Sequence, residues 1–177
     1  MSYDRVMPKF EREVIGSVLY GPSHRIQCCV VHYRNHKNQL KWYGDLRFYT
    51  YSVKKVKFYA SPKGITFTQE ISKGLVNVVN ALPDEMPILK EGEQTIIEKF
   101  QRYPTLWVAI GLVNIAGETK IDIREWIKVD NRGYEGFTTK GIRFSYDRRF
   151  ELSTMLMGAF NKMYDMEQKM KGLDKDD

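Results

Sequence analysis

One short pattern occurs twice in this 177-residue chain, 77 positions apart. Asp45-Leu46-Arg47-Phe48-Tyr49 is matched by Asp122-Ile123-Arg124-Glu125-Trp126, and Lys63-Gly64-Ile65-Thr66-Phe67-Thr68 by Lys140-Gly141-Ile142-Arg143-Phe144-Ser145. At the same offset Arg25 falls on Arg102, Val31 on Val108 and Leu75 on Leu152. One ungapped offset therefore joins strand-like and helix-like stretches, as expected of a duplicated module. A chain that carries one module twice presents one surface twice, which suits a binder better than an enzyme.

Hydrophobic periodicity gives the module its content. Arg25 to Tyr33, Trp42 to Tyr51, Lys54 to Tyr59 and Ile65 to Phe67 read as strands, with Ser61-Pro62-Lys63-Gly64 as a turn. Thr68 offers an N-cap to a helix bearing Leu75, Val78, Val79 and Leu82, which Pro83 stops. In the second copy Leu106 to Leu112, Thr119 to Val129, Tyr134 to Thr139 and Lys140 to Phe144 read as strands, with a turn at Asn131-Arg132-Gly133. Ser145 or Asp147 caps a last helix carrying Leu152, Met155, Leu156 and Met163. Phe10 to Tyr20 fits a strand or a helix, and a small helix is expected around Gln94 to Phe100. The expected class is α+β: two tandem modules of four antiparallel strands plus a helix, a pseudo-dimer with the helices at the interface. The expected divisions are an N-terminal segment 1–21, a first module 22–83, a linker 84–103, a second module 104–171 and an acidic tail 172–177.

Charge is distributed unevenly. The net +6 is the sum of +8 over residues 1–83 (13 Lys/Arg, 5 Asp/Glu) and −2 over residues 84–177 (15 and 17). The positive part also holds 12 of the 23 aromatic residues, and cations interleaved with rings are the composition of a polyanion-binding face. The adjacent Cys28 and Cys29 point to opposite faces of a strand and cannot pair with each other. Two thiols without a framework suit a reducing, intracellular compartment. His24, His32 and His36 have no cysteine cluster to join, so neither a metal nor another cofactor is expected. No apolar run approaches a membrane span, and no signal peptide is visible.

Strand alternation sorts the side chains. Leu46, Phe48, Val56, Phe58, Ile65 and Phe67, with Ile121, Ile123, Ile142 and Phe144, are expected to face the helices. Tyr43, Arg47, Tyr49, Tyr51, Lys55, Lys57 and Tyr59, with Arg124, Trp126 and Arg143, are expected on an open face. Such a face suits single-stranded nucleic acid. Bases stack on rings for about 1–3 kcal/mol each, while Lys and Arg neutralise phosphates without reading sequence. The alternative for Asp45/Arg47 and Asp122/Arg124 is a plain ion pair.

The run Lys120-Ile121-Asp122-Ile123-Arg124-Glu125-Trp126, followed by Thr139-Lys140-Gly141-Ile142 and a helix, resembles the positive cofactor four family of transcriptional coactivators. It is also similar to the Whirly-like arrangement of sheets and helices that bind single-stranded nucleic acid. The resemblance covers residues 106–160, and more faintly 25–83. It implies four antiparallel strands and a helix per module, pairing through the helices, and single-stranded DNA held on the sheets. Residue by residue it implies roles for Arg124, Trp126 and Lys140, and in the first copy for Arg47, Tyr49 and Lys63. The first hairpin keeps polar groups (Arg34, His36, Lys37, Lys41), whereas Val113, Asn114, Ile115 and Ala116 of the second should bind poorly or pack against something. No serine-rich arm is present, which separates DNA binding from a coactivator role.

The expected function is thus single-stranded DNA binding in support of replication, recombination or transcription, with the first module contributing more. RNA binding on the same fold and a protein-interaction scaffold are the alternatives, and further homo-oligomers are compatible with either. No G-x-S-x-G, P-loop or HExxH motif supports an enzyme. Glu91, Glu93 and Glu98 lie in the apparent linker.

Overall fold

The computed structural model describes residues 9–129 and 133–173. Four strands, β1 (Glu11–Leu19), β2 (His24–Arg34), β3 (Leu40–Ser52) and β4 (Lys57–Phe67), form one antiparallel meander, and α1 (Gln69–Asn80) follows. A second meander, β5 (Gln94–Tyr103), β6 (Leu106–Ile115), β7 (Glu118–Val129) and β8 (Tyr134–Ser145), leads through a short 3-10 turn into α2 (Arg149–Leu173). The chain is two tandem modules of four antiparallel strands and a helix. Residues 131 and 132 of the expected turn and most of the acidic tail lie outside the described residues; Gly133, which closes the turn, has φ 61°.

The repeat is real but gapped. The 77-residue offset holds from β3 onward: Arg47 pairs with Gly64 and Arg124 with Gly141, Tyr49 with Ala60 and Trp126 with Phe137. Ahead of β3 the spacing is 82, because Cys29 pairs with Asp45 whereas Gly111 pairs with Asp122. The first β-hairpin simply has the longer connection. Arg25 therefore corresponds to Trp107 rather than Arg102, and Val31 to Val113 rather than Val108.

One open sequence expectation is settled and two change. Phe10 to Tyr20, which fits a strand or a helix, is a strand and supplies β1. The stretch expected as a small helix, Gln94 to Phe100, is the edge strand β5, where its two isoleucines suit a pleated surface. The first strand of each sheet thus comes from a segment placed outside the modules. Finally, the expected third and fourth strands of each module are one strand. Ser61-Pro62-Lys63 is a bulge within β4, not a turn, and Pro62 is accommodated because β4 is an edge. Thr138-Thr139-Lys140 repeats the bulge in β8. In both, a hydroxyl accepts a backbone N–H two residues on: Ser61 Oγ from Lys63 and Thr138 Oγ1 from Lys140, each at 3.1 Å.

One core serves both modules. Ile26, Val30, Leu46 and Phe67 of the first sheet and Val108, Ile110, Ile123 and Phe144 of the second share a single cluster with Leu75, Val79, Leu152 and Leu156 of the helices. The helices touch through Ser72, whose hydroxyl donates to the Leu156 carbonyl at 2.7 Å, and Ser153, which donates to Asn80 Oδ1 at 2.6 Å. Each helix also reaches the other module's first strand. A methyl group on Gly74 of α1 would stand 2.3 Å from the Phe100 ring of β5, and one on Gly158 of α2 would stand 2.6 Å from Ile15 of β1. That close approach explains a glycine in mid-helix. Thr68 caps α1 by accepting the Ile71 N–H at 3.3 Å, whereas Ser145 makes no side-chain capping bond. The module ends meet reciprocally: Tyr20 accepts the Ser145 N–H at 3.3 Å, and Arg102 donates to the Thr66 carbonyl at 2.9 Å.

The segment between the modules packs against the second hairpin, which is therefore covered, as its apolar sequence suggested. Asn114 donates to the Leu89 carbonyl at 2.8 Å and Thr119 to that of Pro87 at 2.7 Å. Glu91 accepts the N–H groups of Ala116 and Gly117 at 3.0 and 2.9 Å.

Because α2 completes the core of the first module and α1 that of the second, residues 90–177 expressed alone should not fold as a cooperative monomer. Circular dichroism with urea denaturation and sedimentation would check this; a monomeric fragment with a sharp transition would contradict the shared core.

Candidate nucleic-acid interface

The repeated motif first builds a buried ion pair. Asp45, 1% exposed, accepts from Arg47 Nη2 at 2.9 Å and from Arg12 at 2.7 Å. Arg47 also donates to the Ser61 carbonyl of the bulge at 3.0 Å. In the second sheet Asp122 accepts from Arg124 Nη2 at 3.0 Å and from Gln94 at 2.8 Å, while Arg124 donates to the Thr138 and Thr139 carbonyls at 3.4 and 3.3 Å. Gly64 and Gly141 give the arginine stem its path across the bulge. A methyl group there would lie 2.9 Å from the carbonyl of Leu46 or Ile123, and within about 3 Å of the arginine Cγ. Asp-x-Arg and Lys-Gly-Ile are thus two halves of one structural device. Arg47 and Arg124 are committed to it. Arg12 and Gln94, at matching positions 82 apart, complete it; sequence reasoning missed them because they lie in strands assigned outside the modules.

The central rings of the open faces are also covered. Tyr49 and Trp126 are 8% and 7% exposed. Arg25 lies over Tyr49 at 5.5 Å and over Phe58 at 4.2 Å; Lys99 lies over Trp126 at 3.7 Å, with Trp107 edge-on at 5.3 Å. Tyr43 and Tyr51 are half-buried, edge-on to Tyr33 and Phe58 respectively. Burial raises the pKa of the Tyr43 and Tyr49 phenols, so both stay neutral and can adjoin a polyanion without repelling it. Lys41 is exposed on this face, opposite Tyr33. Arg34 is exposed at the strand end and donates to the Asn38 carbonyl of its own hairpin at 2.9 Å.

Two assignments of face reverse. Phe58, expected among the helix-facing residues, packs beneath Arg25 and against Tyr51 on the open side. Tyr59, expected outside, lies on the helix side, paired with Thr50, which itself pairs with His24. The cause is the continuity of β4: without a turn, alternation runs unbroken from Phe67 back to Lys57. Val56, expected inside, is 75% exposed at the hairpin tip with φ 52°.

The β3–β4 hairpin carries a second cluster beyond the bulge, on the helix-side face. His24 and Phe48 stack at 5.3 Å. Lys57 and Lys55 hold their ammonium groups 4.9 and 5.2 Å from the Tyr59 ring. Beside them runs the seam between the modules, with two concavities. One, of about 410 Å³, is lined by Tyr20, His24, Ile26, Phe48, Lys120 and Arg143. The other, of about 400 Å³, is lined by Phe48, Lys63, Arg124, Gly141, Ile142 and Arg143. Lys63 is exposed on its bulge, Lys140 is 68% exposed and 4.0 Å from Glu125, and Arg143 is 45% exposed and 3.5 Å from Asp122. Lys63 and Arg143 thus gather with His24, Phe48 and Lys120, which sequence reasoning left out of the site, while Lys55 and Lys57 stand on the hairpin around Tyr59. Continuous alternation along β4 was the signal that could have placed Tyr59 on this face; the approach of Lys120 is set by how the two modules meet.

Both cysteines are buried and unpaired, and burial raises the pKa of each thiol. Among the described residues no three His, Cys, Asp or Glu side chains are grouped to hold a metal ion, and no helix is long and apolar enough to cross a membrane.

No family model matches the chain, and no curated protein matches it. The resemblance to the positive cofactor four family therefore rests on the quoted residues alone. Among solved structures, the chain is similar to WHY1 from Arabidopsis thaliana, with a TM-score of 0.36 and 7% identity over 94% of this chain and 92% of that one. It is likewise similar to WHY3 from the same plant, with a TM-score of 0.35 and 7% identity over 98% and 99%.

Two outcomes follow from this geometry. Asp45→Ala, which takes from Arg12 and Arg47 the carboxylate they share while both keep access to water, should cost about 1–2 kcal/mol, read as a lowered urea midpoint; Asp122→Ala should cost about as much. The raised thiol pKa values mean little thiolate at pH 8, so iodoacetamide should label Cys28 and Cys29 slowly in the native protein and rapidly after unfolding. Fast native labelling would contradict the buried placement.

Proposed function

We propose that this chain binds single-stranded DNA with little sequence preference, by phosphate neutralisation and base stacking, and that it is a binder rather than an enzyme. The observation that carries the reading is the cluster on the first module's hairpin and the seam beside it. There Lys55, Lys57 and Lys63 form no ion pair among the described residues, and they adjoin the rings of Tyr59, Phe48 and His24. Rings of this kind need unstacked bases, which a duplex hides. The buried Asp–Arg pairs remove Arg47 and Arg124 from phosphate contact, so the affinity rests on fewer, freer cations, mostly of the first module.

A titration with single-stranded DNA, duplex DNA and RNA of equal length at matched salt tests this. The single strand of DNA should bind most tightly. Tighter binding to duplex would overturn the reading, and tighter binding to RNA would reassign its ligand. Changing Lys55, Lys57 and Lys63 to Ala should weaken binding and flatten the log–log salt slope by about two to three units. Changing Lys128 and Lys140 of the second module should do less. A salt-independent affinity would instead indicate an apolar protein partner.

A further inference from the structure

The two seam concavities adjoin, since Phe48 and Arg143 line both. Each is of a size that holds a small organic group. Together they make a groove with an apolar floor (Ile26, Ile142), a stacked ring pair (Phe48 on His24, 5.3 Å apart and 28° from parallel) and cationic walls (Lys63, Lys120, Arg143). Among the described residues no carboxylate lines either concavity, and Asp122, 3.5 Å from Arg143, is already paired with Arg124. Lys120 does meet Glu118 at 3.4 Å, but Glu118 is 72% exposed and such a surface pair holds its partner weakly.

The internal symmetry supplies a comparison within the same molecule. The positions matching Phe48 and His24 in the second module are Glu125 and Leu106, by the offsets of 77 and 82. Across the pseudo-twofold, a buried carboxylate 4.0 Å from Lys140 therefore stands where the groove has its ring. A polyanion is favoured at one of the two related sites and opposed at the other.

We propose that the bound strand crosses the chain through this groove, where the rim of the second sheet's open face (Lys120, Arg143) meets Phe48 and His24, rather than over the open face of the first sheet. One base stacks on the Phe48–His24 pair, and the flanking phosphates rest on Lys63, Lys120 and Arg143. The proposal rests on the single-stranded-DNA reading and narrows it to one groove per chain. From the groove the strand continues along the hairpin, where Tyr59 lies between Lys55 and Lys57. A ring recessed in a concavity accepts only a base that has left its duplex, which gives the preference for single strands a structural cause.

The test uses the full chain and a short single-stranded oligonucleotide containing 2-aminopurine, whose emission reports stacking. Phe48→Leu keeps the apolar volume and removes the ring; His24→Ala, at an exposed position, is the second variant should the first fail to fold. Lys63→Ala with Lys120→Ala removes two phosphate contacts, and Lys41→Ala on the open face is the comparison. The ring variants should weaken binding at least fivefold and remove the change in 2-aminopurine emission. The double lysine variant should lower the salt slope by about two units. Lys41→Ala should leave affinity within twofold. Ring and lysine variants that bind like the parent while Lys41→Ala binds poorly would overturn the groove and leave single-stranded-DNA binding standing. A parent protein that binds no single-stranded DNA at low salt would overturn both.

Discussion

A carboxylate buried in each sheet fixes most of what this chain can do. Asp45 and Asp122 are almost fully enclosed, and a charge so placed must be answered by neighbouring cations and donors. Each calls an arginine two residues along its own strand, and that arginine must reach over the adjacent edge strand. It does so because the edge strand bulges, exposing carbonyls to the guanidinium, and because a glycine leaves room for its stem. The bulge in turn lets the strand continue past the core as a long hairpin. In the first module that extension carries Phe48, Tyr59 and their lysines to the seam. The repeated Asp, Arg and Gly residues that first draw attention are thus committed to this device, and they shape the surface around them.

The duplication has a packing consequence as well. A four-stranded meander with one helix has little apolar surface to bury by itself and is marginal alone. Here each helix rests partly on the sheet of the other module, so a single cluster runs through the molecule. The glycines at 16, 74 and 158 mark where helix and foreign strand come close. This exchange brings the edge strands β4 and β8 together and so creates the seam. Neither module could form the groove alone, because its walls come from both.

Much of the fold was legible in sequence for reasons that can be named. Ile121 and Ile123, Ile65 and Phe67, and the stripe Leu75–Val79 sit in the core because period 2 and period 3.6 report burial directly. What failed was punctuation. Ser61-Pro62-Lys63-Gly64 has turn chemistry, and only the edge position of β4 makes it a bulge. Gln94 to Phe100 is polar enough to pass for a helix, since an edge strand with both faces largely wet loses its alternation. The gap in the repeat was hidden because the stronger matches all lie after it. The candidate site was less legible than the fold: Arg47, Tyr49, Arg124 and Trp126 have the right chemistry for nucleic acid, but the cations that cover the rings (Arg25 and Lys99) and the bulge carbonyls that take up the arginines beside Asp45 and Asp122 are set by register across strands.

The two modules differ most where they are least constrained by folding. The Asp–Arg device, the bulge with its hydroxyl, and the glycine beneath the arginine are kept in both copies, since losing any one strands a buried charge or closes its path. Outside it the positions diverge in chemistry: His24 against Leu106, Phe48 against Glu125 and Tyr43 against Lys120. The hairpin of the second module is further covered by the linker, which occupies its turn through Glu91. Symmetry of the buried parts sets the architecture, and asymmetry of the exposed parts divides the labour. The second module completes the core and lends Lys120 and Arg143 to one wall, and the first supplies the rings and most of the unpaired positive charge. The excess of +8 over residues 1–83 is therefore spread over the first module, from Arg25 and Arg34 to Lys55, Lys57 and Lys63, and is not repeated over residues 84–177, which sum to −2.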